Sequence, residues 1–529
     1  MSAVGNKIKI SRKLLNIRTI TFLIVLLAGL IYRLGSFIQD RTLWYDEAML
    51  ASSILQRGFG GLFEVLDYSQ SAPIGFLIII KALVTVFGSS QYIIRLYSLL
   101  TGIGAIWLFY LLIKDAGFKR PLISAAFFAT IYPLIYYSTE LKPYMQDAFF
   151  AITALYLYQL YTKDRIPVWV YMLFSFLSVW ISFPVIFVIA AIACYNFFIG
   201  LGNMIMQKKH SILDNRELVG GIVFGISALA GFLVCYVVYT GNVTANVDEM
   251  SMEYWKYLNF PFMPKEDVDW ELMVLMIRNY LEFAFPGVFA SAAAGVLWFG
   301  GLLLLYIRKR EFFWYSYLIV FFTIFASSLG KYPIQGRLLL FMVPFTAIGI
   351  ICFVEVMLDL IKWRGAEIII FAGVVALNIS AIAYSNVNNL FKERQEATQL
   401  IKYLKNNIED EKLYIFSNAV PIYEYMMGYK NGFNHFPEEI SESGHLIFGS
   451  KYWNLTCEPY VYHTTIDEEK LSENVESVIK YPKAYILFYH QGGDAENSLI
   501  STLKQYGTVI LVMTDNNTPL YLFIRYVYL

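Results

Sequence analysis

The feature that most constrains this chain is a series of long apolar stretches, each separated from the next by a short polar turn. Most of these runs are long enough to cross a hydrocarbon core of roughly 30 Å as a helix. Twelve occur before residue 386: 19–38, 73–88, 92–113, 121–138, 145–161, 166–182, 184–201, 217–240, 286–307, 312–330, 337–360 and 365–385. Because 57% of the 529 residues are hydrophobic and only 16% are charged, the sequence predicts a polytopic α-helical membrane protein.

The charges in the turns indicate which runs cross the membrane. Run 73–88 is the shortest and contains Lys81, so we interpret it as a juxtamembrane helix lying along the surface. About 11 spans then remain, and the basic turns all fall on the side of the basic N-terminus, as expected of cytosolic loops. These turns contain Lys114, Lys119, Arg120, Lys163, Arg165, Lys208, Lys209, Arg216, Arg308, Lys309, Arg310, Lys362 and Arg364. We therefore expect a multi-pass protein of the cytoplasmic (inner) membrane with a cytosolic N-terminus.

The opposite, outer side receives the segments in which chemistry is expected. They are 39–91, the turns near 139–144, 183 and 331–336, the acidic loop 241–285, and everything after residue 385. Since the tail turns polar and contains short apolar strands at 413–416, 485–489 and 509–512, it predicts an α/β domain. The predicted domains are thus a transmembrane domain at 1–385 and an extracytosolic α/β domain at 386–529.

Two helices are predicted in the tail. The first carries Leu400, Ile401, Leu404 and Ile408 on one face, and the second, 498–505, ends before the helix-stop Gly507.

Overall charge and cysteine content exclude several classes of function. The chain has 41 basic and 41 acidic residues, so nothing indicates a nucleic-acid partner. Three of the four cysteines lie in apolar stretches, so neither a disulfide framework nor a zinc cluster is predicted.

The first candidate site is the pair Asp46 and Glu47, which follows the first span beside Trp44. A structural interpretation is that Asp46 is the N-cap of a helix running from Glu47 to Arg57. A carboxylate held at a helix start is also suited to act as a general base, so capping and catalysis are compatible.

The second and third candidates lie in two other outer turns. Glu140, Lys142 and Tyr144 follow the third span, where the acid and the base are either part of a cavity or an interfacial ion pair. Lys331 and Arg337 flank a Gly-rich bend and present two cations, which either bind a phosphate or anchor the bend at the interface. Together the three turns supply the groups needed to deprotonate a hydroxyl and to stabilise a departing phosphate.

The order of these motifs resembles a known family. It is Trp44-Tyr45-Asp46-Glu47, Ala72-Pro73, Phe87-Gly88-Ser89-Ser90, Arg95-Leu96-Tyr97-Ser98, Ser138-Thr139-Glu140-Leu141-Lys142-Pro143-Tyr144, then Tyr332-Pro333, Gly336-Arg337 and Pro344. The chain is similar to the multi-spanning glycosyltransferases of the type C fold, in the bacterial group related to protein O-mannosyltransferases and the lipid A aminoarabinose transferase. The matching stretch covers roughly residues 20–160.

The resemblance implies a hexosyl- or pentosyltransferase that uses a polyprenyl-phosphate sugar and an outer acceptor, which is a protein, a lipid or a glycan. Asp46 would be the base and Glu47 a supporting acid, while Glu140, Lys142 and Tyr144 would line the sugar and phosphate pocket. Arg337, with Lys331, would bind the leaving polyprenyl phosphate.

This chain departs from the family at two positions. It has Ser71-Ala72-Pro73 where many members carry His-Pro-Pro or Lys-Pro, which puts one polar contact to the donor in doubt. It also has Lys142 where Arg is usual, so a single ammonium charge replaces a bidentate guanidinium.

The sequence leaves alternatives open for both the metal dependence and the function of the protein. Some members of the fold bind a divalent cation through acidic residues and others do not, and no ligand cluster in the sequence decides between them. The rivals are a polytopic lipid or sugar transporter or flippase, a polysaccharide ligase, and an assembly partner that keeps the fold without the activity.

Overall fold

The structure is a computed structural model of the chain. It describes residues 2–39, 41–67, 70–207, 215–241, 243, 259–260, 267–361, 369, 371–373, 375–376, 378–380, 382–383, 398–407, 412–415, 422, 425, 468–488, 494–515 and 518–526. The predicted Ile408, Phe416, Tyr489 and the basic positions 208, 209, 362 and 364 lie outside these residues.

Up to residue 361 the described chain is a bundle of helices. They are α1 (Ser2–Ile38), α2 (Tyr45–Gln56), α3 (Ile74–Phe87), α4 (Gln91–Asp115), α5 (Pro121–Ala129), α6 (Tyr132–Tyr136), α7 (Tyr144–Thr162), α8 (Val168–Ser178), α9 (Val185–Gln207), α10 (Arg216–Cys235), α11 (Asp267–Ala284), α12 (Val288–Arg308), α13 (Arg310–Ser328) and α14 (Val343–Leu360). A π-helical turn, Tyr236–Thr240, extends α10, and a 3-10 helix, Gly336–Met342, leads into α14.

The prediction of a polytopic helical membrane protein is confirmed. Within the described ranges, six helices are long and apolar enough to cross a membrane, or seven if the bent pair α5–α6 is one span. The total of about 11 spans stays a prediction.

The basic turns meet at one end of the bundle, which we call the basic end. Asp359 of α14 pairs there with Lys119 at 2.7 Å, Arg120 at 3.3 Å and Arg308 at 3.1 Å. Since α4 runs about 37 Å from its start to Asp115 at this end, the start of α4 lies at the opposite end of the bundle, which we call the α2 end.

The predicted run 121–138 is broken rather than continuous. α5 and α6 meet at an angle of 69°, because Pro133 has no N–H to donate to the carbonyl oxygen of Ala129. Arg33 of α1 donates to that oxygen instead, and its Nε donates to Ser138 Oγ at 3.2 Å. Because Arg33 is fully buried, it fixes the bend from inside the bundle.

α3 has the length expected of a juxtamembrane helix. Its 14 residues rise about 21 Å, which is less than a hydrocarbon core. Lys81 donates to the carbonyl oxygens of Ile54 at 3.0 Å and Leu55 at 3.2 Å, where α2 ends. A cation at that point satisfies carbonyls that have no helical partner and ties α3 to α2.

The sequence predicted that the acidic stretch 241–285 is a loop, but part of it is helical. Residues 267–284 form α11, whose Met276, Tyr280, Leu281 and Ala284 are buried. These side chains recur at helical spacing, and the apolar face they form packs on α12. The other face mixes charged residues with exposed apolar side chains such as Trp270 and Val274, so the buried face does not stand out in the sequence.

The C-terminal part forms a small α/β unit, as predicted. Its elements are α15 (Thr398–Asn407), β1 (Lys412–Ile415), α16 (Glu468–Ile479), β2 (Lys483–Leu487), α17 (Asp494–Leu503), β3 (Gly507–Asp515) and β4 (Thr518–Arg525). The sheet order is β1-β2-β4-β3, with β1 parallel to β2 and the other neighbours antiparallel. Strand β4 and helix α16 were not predicted, and Gly507 begins β3 rather than ending a helix.

This unit shares a core with the α2 end of the bundle. Leu400, Leu413, Tyr485 and Leu520 belong to one buried cluster with side chains of α2 and α3. The Tyr425 hydroxyl also donates to the carbonyl oxygen of Ser89, just before α4. The sheet therefore rests on the segment that carries Asp46.

Candidate active site

The start of α2 places two carboxylates in different environments. The helix begins at Tyr45 with Trp44 as N-cap, and the Glu47 carboxylate accepts from the Trp44 N–H at 3.4 Å. The interpretation of Asp46 as the N-cap is therefore wrong, because Trp44 is the N-cap and Glu47, the third residue of the helix, accepts from its N–H. Asp46 lies in the first turn, where the helix dipole favours a negative charge.

Asp46 joins the three turns that the sequence singled out. Its Oδ1 lies 3.1 Å from Lys142 Nζ, and its Oδ2 lies 3.0 Å from Arg337 Nη1. Lys142 also donates to Gln70 Oε1 at 2.7 Å, so the 39–91 segment contributes a second contact. With Asp46 and Lys142 each 5% exposed, this is a nearly closed ion-pair cluster.

The pKa values of the pair follow from burial and from charge. Burial raises the pKa of Asp46, but the Lys142 ammonium and the Arg337 guanidinium outweigh it and hold that pKa below its usual range. For Lys142, burial and the nearby Arg337 lower the pKa more than Asp46 raises it. Asp46 is consequently ionised at neutral pH, and it is shared between two cations.

Glu47 makes a separate, structural set of contacts. Arg95 of α4 donates to both of its oxygens, at 2.9 and 2.6 Å, and the Leu141 N–H donates at 2.6 Å. Burial raises the pKa of Glu47, but the charges of Arg95 and Arg41 lower it by more. The pKa of Glu47 is therefore below its usual range. Arg95 Nη1 reaches the Arg41 carbonyl oxygen at 2.7 Å. Glu47 thus ties α2 to α4 and to the turn at 139–144.

Glu140 is buried beside Arg41 rather than beside Asp46. Arg41 Nη2 lies 3.7 Å from Glu140 Oε1 and donates to the Thr139 carbonyl oxygen at 3.2 Å. The Ser98 hydroxyl of α4 donates to the Glu140 carbonyl oxygen at 2.7 Å. These contacts fix the backbone of the turn from which Lys142 extends.

Aromatic rings flank the Arg337 guanidinium. The Tyr144 ring centre is 5.8 Å and the Trp44 ring centre 5.7 Å from its central carbon. Lys331, in contrast, has an exposed side chain, and within the described parts of the chain it forms none of the ion pairs of the cluster. The structure thus brings Arg337 to Asp46 and leaves Lys331 outside.

The three carboxylates as arranged do not fit a shared divalent cation. Each is directed to a different cationic partner: Asp46 to Lys142 and Arg337, Glu47 to Arg95, and Glu140 to Arg41. Within the described residues, no group of three or more His, Cys, Asp or Glu side chains is placed to hold a metal ion. No chemical step is therefore derived through a metal.

The sequence interpretation missed the residues that hold the cluster in place. Arg95 appeared only as part of a family motif, and Arg41 and Gln70 were not singled out. The available signal was an Arg four residues into an apolar run, which needs a carboxylate partner when it is buried.

No protein-family model and no curated protein sequence matches the chain. Among solved structures it is similar to ArnT from Cupriavidus metallidurans, with 10% identity and a TM-score of 0.51 in the apo state. With ArnT bound to undecaprenyl phosphate the values are 12% and 0.53, and both matches cover 94% of this chain and 97% of ArnT.

The oligosaccharyltransferase of Archaeoglobus fulgidus, in complex with Zn and sulfate, gives 15% identity and a TM-score of 0.49. That match covers 76% of this chain and 61% of the archaeal one. At such identities the likeness to ArnT concerns the fold, and the predicted type C glycosyltransferase fold is confirmed.

Proposed function

We propose that this protein is a glycosyltransferase that moves a sugar from a polyprenyl-phosphate carrier to an acceptor at the outer face of the cytoplasmic membrane. The observation that carries the proposal is a single buried carboxylate, Asp46, shared by Lys142 and Arg337. A base and two phosphate-binding cations in contact are the minimum set for this reaction.

The charge balance of the cluster supports a phosphate-linked donor. The ion-paired groups comprise four cations, Arg41, Arg95, Lys142 and Arg337, and three carboxylates. Two cations are matched one to one with Glu47 and Glu140, and the other two share Asp46. The cluster thus carries one surplus positive charge, and a sugar phosphodiester carries one negative charge.

In the mechanism we infer, the phosphate oxygens bind Arg337 and Lys142 and draw these cations away from Asp46. Asp46 then accepts the proton of an acceptor hydroxyl, whose oxygen forms a new bond to the anomeric carbon. The bond from that carbon to the phosphate oxygen breaks on the opposite face, so the configuration inverts. Its electron pair stays on the phosphate, which becomes a monoester with a second negative charge. Because Arg337 and Lys142 meet more charge in the transition state than in the bound donor, their contacts accelerate the reaction.

The orientation is part of the proposal. Basic turns favour the cytosolic side, and Asp46 lies at the end of α4 opposite these turns. An outer site also agrees with the α/β unit, since that unit packs on α2 and α3 and would be extracytosolic. In this proposal residues 1–385 form the transferase domain and 386–529 the outer domain.

A neighbour of the same fold supports the choice of carrier. ArnT was solved with undecaprenyl phosphate bound. The sugar and the acceptor, whether protein, lipid or glycan, are chosen by side chains around this cluster.

The decisive experiment is turnover of a panel of polyprenyl-phosphate sugars by the purified protein in lipid nanodiscs. With water or an added hydroxyl compound as the acceptor of the sugar, we expect release of bare polyprenyl phosphate by the wild type and none by Asp46→Asn, which keeps the shape but removes the base. A matched control is Asp67→Asn, an acid of the same segment that pairs with Arg57 at 2.7 Å. This control should turn over donor like the wild type.

Two results would contradict the proposal. If Asp46→Asn releases carrier as fast as the wild type, Asp46 is not the base. If the wild type consumes no donor of the panel but moves a labelled carrier between leaflets, the flippase alternative is correct.

A further inference from the structure

Asp147 is a buried acid that the proposed mechanism leaves unused. It lies in α7, is 5% exposed, and its Oδ1 has no hydrogen-bond partner among the described residues. None of the cluster's cations pairs with it. Since a buried carboxyl oxygen without a donor is destabilising, Asp147 Oδ1 indicates a donor that a ligand supplies.

The position of Asp147 relates it to the ion-pair cluster. Residues three apart lie on the same face of a helix, so Asp147 is on the face of Tyr144, whose ring contacts Arg337. The rise from one to the other is about 4.5 Å. A group next to a phosphate held by Arg337 would therefore meet Asp147.

The surroundings of Asp147 are aromatic and polar. Tyr97 of α4 and Tyr332 of the turn before α14 lie near its carboxyl group. The Ser182 hydroxyl of the turn before α9 is, like Asp147 Oδ1, buried without a hydrogen-bond partner among the described residues. The Tyr332 hydroxyl donates its proton to the Leu338 carbonyl oxygen at 2.7 Å, so that proton is not available to Asp147. Pockets of this composition orient a ligand through a few polar groups between aromatic rings.

We propose that Asp147 binds hydroxyl groups of the sugar that is transferred, and so selects among donors. This inference rests on the proposed function, because it needs the donor phosphate at Arg337 and Lys142. A sugar ring attached to that phosphate presents several hydroxyl donors, which satisfy the carboxyl oxygen. Asp147 is then a specificity residue and takes no part in the proton transfer.

The test compares binding of two lipids that share one chain, namely polyprenyl phosphate and the same lipid carrying glucose, mannose or galactose. Affinities are measured for the full protein in nanodiscs. We expect the wild type to prefer at least one sugar-bearing lipid, and Asp147→Asn to lose that preference by about tenfold, the upper end of the range for a hydrogen bond between neutral groups. Its affinity for the bare carrier should be unchanged, which also reports correct folding.

Glu355→Gln is the matched control, since Glu355 is another buried acid but lies toward the basic end and accepts from the Arg120 N–H at 2.8 Å. It should bind both lipids like the wild type. A second measurement uses monodeoxy forms of the preferred sugar with the wild type alone. Removal of one particular hydroxyl should weaken binding about tenfold or more.

The outcomes separate this inference from the proposed function. If Asp147→Asn keeps the full preference for the sugar-bearing lipid, or if no deoxy form binds more weakly, the inference is wrong and the transferase proposal stands. If the wild type binds neither lipid, the proposed function itself fails.

Discussion

The bidentate pair between Glu47 and Arg95 allows one prediction with a magnitude. Both side chains are buried, at 1% and 4% exposure, and Arg95 contacts both carboxylate oxygens. Glu47→Gln keeps an oxygen for the Leu141 N–H but removes the charge, so Arg95 stays buried without compensation. Breaking a buried pair in this way costs about 3–5 kcal/mol. We expect the free energy of unfolding to fall by that amount.

The double variant Glu47→Gln/Arg95→Met should be more stable than Glu47→Gln alone. It removes the uncompensated cation, and we expect a recovery of about 2 kcal/mol, within the usual range for coupled neighbours. The free energy of unfolding is measured in mixed micelles by tryptophan fluorescence and helix content for Glu47→Gln, Arg95→Met and the double variant. If the double variant is destabilised by the sum of the two single changes, Glu47 and Arg95 do not act as a pair.

The same variants separate structural from chemical roles. The resemblance implied that Glu47 is a supporting acid, whereas its contacts are those of a cross-link between α2, α4 and the turn at 139–144. We therefore expect the double variant to regain measurable turnover together with stability, while Asp46→Asn stays inactive although folded.

Three further predictions concern other positions. Arg337→Gln removes a cation that lowers the pKa of Asp46, so the acid limb of kcat/KM should move to higher pH than in the wild type; an unmoved limb would argue against Asp46 as the base. Arg33→Met leaves the Ala129 carbonyl oxygen without its donor and should lower the unfolding free energy by about 1–3 kcal/mol, measured as above. Lys331→Ala should leave the KM for a lipid donor near the wild-type value, whereas Arg337→Ala should raise it; equal effects would place Lys331 in the site.

Much of the architecture could be predicted because the bilayer imposes simple rules on sequence. Run length and turn charge predicted the helices and the basic end formed by Lys119, Arg120 and Arg308 around Asp359. The break at Pro133 was missed because hydropathy does not register a lost hydrogen bond. Helix α11 was missed because its exposed face mixes charged and apolar residues, which obscures the apolar face that is buried.

The sequence predicted which residues lie in the candidate site better than it predicted which of them form ion pairs with each other. Asp46, Lys142 and Arg337 were selected as acids and bases in outer turns, and they lie together. Local sequence does not specify which cation meets which carboxylate, because helices distant in sequence decide it. For this reason Arg95 was overlooked, and Lys331, equivalent to Arg337 by composition, was predicted beside it although its side chain lies outside the ion-pair cluster.

The buried cluster that joins the C-terminal sheet to α2 and α3 limits how this protein can diverge. Leu413 and Leu520 of the sheet cover apolar side chains on the helices that position Asp46. A tail exchanged for that of a different protein of this fold would leave those side chains exposed unless α2 and α3 changed with it. Chimaeras made to redirect the acceptor should therefore exchange residues 39–91 and the tail as one unit.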